Sequence, residues 1–399
     1  MKYITLLCDG MADVPISELN GKTPMEVANK PNMNSLAKYS EIGLARTIPV
    51  GMDPGSDVAN MSVLGYDPLK YYSGRSPLEA LSMGIEMSSD DVSFRCNLVT
   101  LSDEESRYED RYMLDNSSNE ISTEEAKVLI EDLKNILPSS GYELYNGICY
   151  RHILIQRNGE LVKLTPPHDI LNKKVQGYMP THNVLKDLMI KSYGILNNHP
   201  INLERRKKGL RPGNSIWFWG SGRKPNLPSY ESLIGKKGAI YSATDLLNGI
   251  AVGTKMKNIR VKDANGGLDT NYKGIVDASL NTLLKENFDH VYIHMEAPDE
   301  LSHQGDLNNK ILAIELIDRQ ILLPLVEGLK NAGEDFRILI MPDHPTPIPL
   351  RTHTADPVPY MIYDNRYNVS GCSNFTEKNA KDKGVFIDPG YTLANGFFR

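Results

Sequence analysis

Residues 336–354, FRILIMPDHPTPIPLRTHT, join an apolar run to a proline-rich segment that carries one aspartate and two histidines. The run Phe336 to Ile340 has the length and composition of a buried strand. Asp343, His344 and His353 would then emerge where strand 336–341 ends, and in open α/β sheets ligands gather at the carboxyl ends of the strands. Carboxylate and imidazole together suit Zn²⁺, Mn²⁺ or related ions, whereas Mg²⁺ and Ca²⁺ prefer oxygen. Two incidental histidines in a solvated loop would read the same in isolation. The remaining ligands must therefore come from elsewhere in the chain.

Two other strand ends supply them. Tyr3 to Cys8, YITLLC, is a short apolar run ending in Asp9-Gly10, the pattern of a buried strand that delivers a carboxylate to the sheet edge. Asp289 to Met295 reads as a strand that runs into EAPDELSH, where Asp299 and His303 lie four residues apart and share one face of a helical turn. Between them, VGMDPGSDVANMSVLG (50–65) breaks at Gly51, Pro54 and Gly55 and continues with helical spacing from Asp57 to Leu64. Ser56 is placed to be its N-cap, where a positive dipole end and free N–H groups favour a transferring phosphoryl group. Ligands at three strand ends and a serine at a helix start point to one site with two metals.

The intervening chain alternates strands and helices. Strands are expected at Val92 to Leu101, Ile148 to Gln156, Leu161 to Leu164, Ser215 to Trp219, Gly238 to Tyr241 and Ile259 to Val261. Helices are expected at Asn34 to Ser40, from Pro77, and at Thr123 to Leu137, Asn183 to Leu196, Ala243 to Gly253, Tyr272 to Asn287 and Lys310 to Ala332. Such alternation argues a largely parallel sheet with helices on both faces. The turn Arg157-Asn158-Gly159-Glu160 signals a hairpin between 148–156 and 161–164, and this group reads as a small α+β domain inserted at 106–178 into a core formed by 1–105 and 179–399. Gly220-Ser221-Gly222-Arg223-Lys224 offers a glycine-rich basic turn for an anion, a weak signal without a Walker lysine. Arg75, before the helix that Pro77 opens, can grip phosphate bidentately.

Composition bounds what such a site can serve. The 399 residues are 40% hydrophobic and 24% charged, ordinary for a globular protein, with a net charge of −6. No basic field is available for nucleic acid, so an anionic substrate must be met by local Arg and Lys. Met1-Lys2 leads straight into a strand pattern and no apolar run can span a bilayer, which makes a cytoplasmic location the expectation and a membrane partner unexpected. Cys8, Cys96, Cys149 and Cys372 lack C-x-x-C spacing and read as reduced core thiols.

DGMAD (9–13), PGSDVAN (54–60), YYSGRSPLEALSMGI (71–85), EAPDELSHQGD (296–306) and MPDHPTPIPLRTHTADPVP (341–359) resemble the archaeal-type, cofactor-independent phosphoglycerate mutases of the alkaline phosphatase superfamily. The resemblance runs from end to end. It implies an alkaline phosphatase-like core with an inserted cap, and two divalent ions, Mn²⁺ foremost, with Zn²⁺, Co²⁺ or Mg²⁺ as the other choices. By the same resemblance Asp9, Ser56, Asp343 and His344 match one metal site and Asp299, His303 and His353 the other, with Ser56 as the phosphoryl-accepting nucleophile. The implied reaction, a step of glycolysis and gluconeogenesis, interconverts 3-phosphoglycerate and 2-phosphoglycerate through phosphoserine without 2,3-bisphosphoglycerate. The cap is expected to exclude water from that intermediate.

A small phosphorylated substrate of this kind needs positive groups for its carboxylate. Asp110-Arg111 resembles the family's Asp-Arg element, and Arg75, Arg151 and His152 are further candidates. The chain also departs from the pattern: Tyr112-Met113-Leu114-Asp115 follows that Asp-Arg where the family continues with a basic residue and Ala-Gly-Arg, and Trp219 stands where a mutase is expected to carry a basic residue. A rival reading is therefore a phosphotransferase on another hydroxy acid or amino acid, similar to proposed homoserine kinases, although the G-x-x-x-x-G-K-[ST] loop of one ATP-binding class is absent. A non-catalytic structural metal site is the third reading. It fits poorly, since structural sites are closed and four-coordinate and this set holds a serine and more ligands than one ion needs.

Overall fold

The computed structural model describes residues 1–399, which form two compact units, Met1–Tyr72 with Asn226–Arg399, and Ser73–Pro225. In chain order the strands are β1 (Lys2–Cys8), β2 (Ser40–Ala45), β3 (Val92–Leu101), β4 (Met113–Asp115), β5 (Tyr142–Tyr145), β6 (Arg151–Gln156) and β7 (Ser215–Arg223). They continue as β8 (Gly238–Tyr241), β9 (Lys257–Ile259), β10 (His290–Met295), β11 (Phe336–Met341), β12 (Val358–Asp364) and β13 (Phe386–Ile387).

The first unit is built on an eight-stranded sheet of order β13-β2-β12-β11-β1-β10-β8-β9. Strands β11, β1, β10, β8 and β9 run parallel, while β12 is antiparallel to both of its neighbours. Every residue of β1, β10 and β11 is buried, as expected for central parallel strands covered on both faces. On one face Ile4, Leu6, Ile338 and Ile340 share a core with Met33 and Leu36 of the helix Pro31–Ala37, Ile275 of the helix Tyr272–Leu284, and Leu325. On the other, Thr5 bonds His290, which stacks on Tyr230 and meets Phe397 edge-on. Truncating a residue such as Ile340 to Ala would cost about 2–5 kcal/mol.

Register decides where the site lies. Cys8 stands opposite Met295, and Leu7 opposite Met341. Strands are about 4.8 Å apart, so the residues following β10, β1 and β11 leave the sheet side by side at its carboxyl edge.

Several expected elements shift. The helix expected from Lys310 begins at Leu307 and contains a π-helical turn, Ile317–Leu322, before continuing as Leu323–Asn331. Asp318 in that turn accepts from the N–H groups of Asn32 (3.1 Å) and Met33 (2.6 Å), satisfying the start of a helix that runs Pro31–Ala37, earlier than the expected 34–40.

The second unit holds an antiparallel sheet of order β4-β3-β6-β5, with β7 also pairing β3. Its core joins Phe94, Cys96 and Phe218 to Leu129 and Leu133 of the helix Thr123–Leu133 and Leu185 and Leu188 of the helix Asn183–Leu196. This unit is wider than the expected 106–178 insert because β3 and β7, on either side of that span, pair with each other. The hairpin partner of β6 is β5 rather than 161–164, where the carbonyl of Val162 accepts from the Ser221 hydroxyl, as that of Thr165 just beyond accepts from the Trp217 indole. The expected anion-binding turn at 220–224 is instead the end of β7, with Gly222 opposite Ser93. A Cβ on Gly222 would lie 2.3 Å from the Ser73 carbonyl, so that glycine serves close backbone packing. All four cysteines are free, Cys8 and Cys96 buried. No helix is long and apolar enough to cross a membrane.

Candidate metal centre and nucleophile

All seven residues expected as metal ligands lie in the first unit. Asp9 follows β1, and its N–H continues the ladder to the Met295 carbonyl (2.9 Å). Asp299 and His303 sit on the helix Ala297–Gln304, with His303 Nε2 3.2 Å from Asp299 Oδ2. Asp343 and His344 follow β11 and are fully buried.

Ser56 is the first residue of the helix Ser56–Val63, and extended Gly55 takes the N-cap position expected for the serine. The hydroxyl is thereby free of capping and lies 3.1 Å from His344 Nε2. One turn on, Asn60 donates to the Ser56 carbonyl (2.8 Å) and to Asp343 Oδ2 (2.9 Å), and is itself held by the Tyr292 hydroxyl. Asp343 Oδ1 accepts from the N–H groups of His344 (2.9 Å) and Gly10 (3.3 Å).

Two donor sets face inward. In the first, His344 Nε2 lies 3.1 Å from Ser56 Oγ, 3.4 Å from Asp343 Oδ2 and 3.6 Å from Asp9 Oδ1. Asp9 Oδ1 is buried without a hydrogen-bond partner. In the second, His303 Nε2 and His353 Nε2 are 3.0 Å apart, and Asp299 lies 3.2 Å from the former and 3.5 Å from the latter. His303 Nδ1 bonds the Arg351 carbonyl (2.9 Å) and His353 Nδ1 the Pro54 carbonyl (3.4 Å), so both Nδ1 atoms carry protons and both Nε2 atoms face the space beside Asp299. Tetrahedral ligands held at about 2.1 Å from a cation are about 3.4 Å from one another. The distances from His344 Nε2 and those within the second set have that spacing, and the same atoms also gather as Asp299, His344 and His353 and as Asp9, His294 and Asp343, so the cluster as a whole could hold divalent ions.

Electrostatics point the same way. Burial, with repulsion from Asp343 and Asp299, holds the Asp9 carboxyl well above the usual carboxylate range. Burial also acts to raise Asp299, but His303 and His353 hold it well below that range, and the Asp299 hydrogen bond pushes His303 up to about 9. The cluster gathers three buried aspartates with no Lys or Arg bonded to them, a demand for positive charge.

Sequence reasoning missed His294, which forms a close trio with Asp9 and Asp343. Burial drives its imidazole down to about 4, leaving it neutral. Its Nε2 lies 2.8 Å from Asp9 Oδ2 and its Nδ1 3.2 Å from the Ser242 hydroxyl, so it orients Asp9 and leaves Oδ1 to face the first donor set. The available signal was its place one residue before the end of β10, facing the same edge as Asp9.

The residues expected to bind substrate all lie in the second unit. Arg75 pairs with Glu79 (3.2 Å) and Asp110 with Lys174 (3.7 Å). Arg111 is buried, donating to the Ser102 carbonyl (2.6 Å) with its guanidinium over Tyr193 (3.9 Å). Arg151 is exposed. His152 is buried with Nδ1 accepting from the Gly147 N–H (3.1 Å) and Nε2 without a partner. Trp219, the departure noted above, lies under Arg95 (4.1 Å) and donates to Asn97 (2.9 Å).

Known proteins share this sequence and fold. The family model for 2,3-bisphosphoglycerate-independent phosphoglycerate mutase matches residues 37–202. A protein of that name from Methanothrix thermoacetophila is 45% identical over 98% of both chains. The chain belongs to this mutase family. A second relative of the same name, from Methanosarcina barkeri, is 46% identical over 96% of this chain and 95% of its own. Among solved structures, the PH0037 protein of Pyrococcus horikoshii superposes with a TM-score of 0.81 at 26% identity, covering 100% of this chain and 97% of its own. The cofactor-independent phosphoglycerate mutase of Thermoplasma acidophilum gives 0.64 at 25% identity, covering 100% and 99%.

Proposed function

We propose that this chain interconverts 3-phosphoglycerate and 2-phosphoglycerate, independently of 2,3-bisphosphoglycerate, with Ser56 as the phosphoryl carrier. The single observation behind the reading is the position of Ser56 Oγ, uncapped at a helix N-terminus and 3.1 Å from His344 Nε2 inside a cluster of carboxylates and imidazoles. In this proposal Asp9, Ser56, Asp343 and His344 hold one divalent ion and Asp299, His303 and His353 the other, with Mn²⁺ the leading candidate and Zn²⁺, Co²⁺ or Mg²⁺ the others. Two such ions supply charge that lowers the serine pKa and neutralises phosphoryl oxygens in transfer.

Ser56 Oγ attacks phosphorus, the bond to the 3-oxygen breaks, and the serine proton ends on the departing 3-hydroxyl. The glycerate turns while it is held. Its 2-hydroxyl then attacks the phosphoserine, its proton ends on Ser56, and 2-phosphoglycerate leaves. The N–H groups at the start of the helix Ser56–Val63 favour the anionic group throughout. Arg75, Asp110, Arg111, Arg151 and His152 are proposed to hold the glycerate, His152 through its unpartnered Nε2.

Trp219 in place of a basic residue favours the second reading, transfer to another hydroxylated acceptor such as homoserine. One experiment separates the two: purified protein with Mn²⁺ is given 3-phosphoglycerate or, separately, ATP and homoserine, and both reactions are followed by ³¹P NMR. A 2-phosphoglycerate resonance is expected. Phosphohomoserine without 2-phosphoglycerate would replace the mutase reading.

A further inference from the structure

Two residues beyond His344, Thr346 is fully buried with its hydroxyl between the two donor sets. Its Oγ1 lies 2.5 Å from Asp299 Oδ1 and 3.2 Å from His344 Nδ1. A hydroxyl has one proton, and an ionised carboxylate can only accept. The proton must therefore go to Asp299, and the contact with His344 must be Nδ1–H donating to Thr346. That order fixes the His344 tautomer and leaves its Nε2 lone pair facing Ser56, Asp343 and Asp9.

The position of this hydroxyl is held by the backbone on both sides. Thr346 N–H donates to the Ala12 carbonyl (3.2 Å), and its own carbonyl accepts from Lys310 Nζ (3.0 Å). Lys310 is buried and pairs with Asp13 (2.8 Å), whose carboxylate also accepts from the Ile348 N–H (3.1 Å). Space is reserved as well. A Cβ on Gly10, at φ +62°, would lie 2.6 Å from Asp299 Oδ1 and 2.7 Å from Thr346 Oγ1, so the residue after Asp9 must be glycine for this contact to exist.

We infer that Thr346 is a positioning residue that couples the two metal sites, orienting His344 of one and Asp299 of the other through a single directed hydroxyl. The inference rests on the two-ion reading above. Its consequence is that loss of the hydroxyl weakens both ions together, although Thr346 ligates neither.

The test compares wild type, Thr346→Val and Thr346→Ser by calorimetric titration of metal-free protein with Mn²⁺, with thermal unfolding as a check on folding. Valine keeps the shape and removes the hydroxyl, and should weaken both sites by about 10–100-fold. Serine restores the hydroxyl and should return both affinities to within about threefold of wild type, a rescue that a purely structural role for the side chain would not give. Unchanged binding in Thr346→Val, or weakening at one site only, overturns the coupling while two ions in the wild type leave the proposed function standing. No binding in the wild type overturns both. Should the valine variant fail to fold, ¹⁵N-histidine NMR of the metal-free wild type decides: a proton on His344 Nδ1 supports the inference, and a proton on Nε2 overturns it.

Discussion

The metal cluster of the first unit and the charged networks of the second bury charge in opposite ways. In the second, Arg205 is buried and donates to the carbonyls of Arg211 and Ser118 and to the Glu125 carboxylate. Arg95 pairs with Glu79 (2.9 Å) and covers Trp219, and Arg157 bridges Asp91 and Glu143 (2.7 Å each). Each of these cations is answered by the protein itself. In the first unit Asp9, Asp299 and Asp343 are buried among imidazoles, and Asp9 Oδ1 has no partner at all. Buried charge is tolerated when it is matched. The unmatched cluster therefore identifies the place that something else completes, and the saturated networks identify architecture.

The largest effect that could break this contrast concerns activity. Ser56→Ala should lower mutase turnover by roughly four to six orders of magnitude, since it removes the nucleophile of a group that acts as a unit. Metal content measured by mass spectrometry should stay at two ions per chain, because six protein ligands remain. Chelation of the wild type should abolish turnover and re-addition of Mn²⁺ should restore it. Turnover of 3-phosphoglycerate by metal-free protein would show that the unmatched carboxylates serve some other end.

Next in size is a saturated network. Arg205→Ala leaves the Arg211 and Ser118 carbonyls and Glu125 without their donor, and should cost about 3–5 kcal/mol of unfolding free energy. Urea unfolding measures it, and Mn²⁺ affinity of the folded variant should not change. The opposite sign is expected at the metal cluster. Asp9→Asn relieves repulsion from Asp343 and Asp299, and should stabilise the metal-free protein by about 1–2 kcal/mol while weakening Mn²⁺ binding, the usual exchange of function for stability. A metal-free Asp9→Asn protein less stable than wild type would mean that the cluster is as self-sufficient as Arg205.

The same contrast explains what the sequence made legible. Asp9, Asp343 and His344 could be read because they follow apolar runs that become β1 and β11, and Asp299 and His303 because their spacing fits one helical turn. Local pattern sufficed for them. His294 and Thr346 were not legible, since a histidine inside HVYIHM reads as core and a threonine among prolines reads as loop; their roles arise from neighbours far away in the chain. The Leu161–Leu164 hairpin failed because Arg157 is drawn into Asp91 and Glu143 and β6 pairs with β5. The span of the second unit depends on β3 meeting β7 across more than a hundred residues, a pairing that no local window contains.

The smallest effect tests whether saturation is a property of the network or of its separate bonds. Ser122 caps the helix Thr123–Leu133 by accepting from the Glu125 N–H (3.2 Å), and the side chain of the same Glu125 accepts from Arg205. Ser122→Ala alone should cost about 1 kcal/mol, the ordinary value of an N-cap. Combined with Arg205→Ala, the loss should depart from the sum of the singles by at least about 0.5 kcal/mol, because both bonds converge on one residue whose backbone and side chain hold each other in place. Ser122→Ala combined with Asp9→Asn shares no partner and should be additive to within about 0.3–0.5 kcal/mol. Urea denaturation of the metal-free single and double variants closes both cycles. An additive Ser122 and Arg205 pair would mean that the second unit matches its charges one bond at a time, and that its difference from the metal cluster lies in the count of partners rather than in their mutual support.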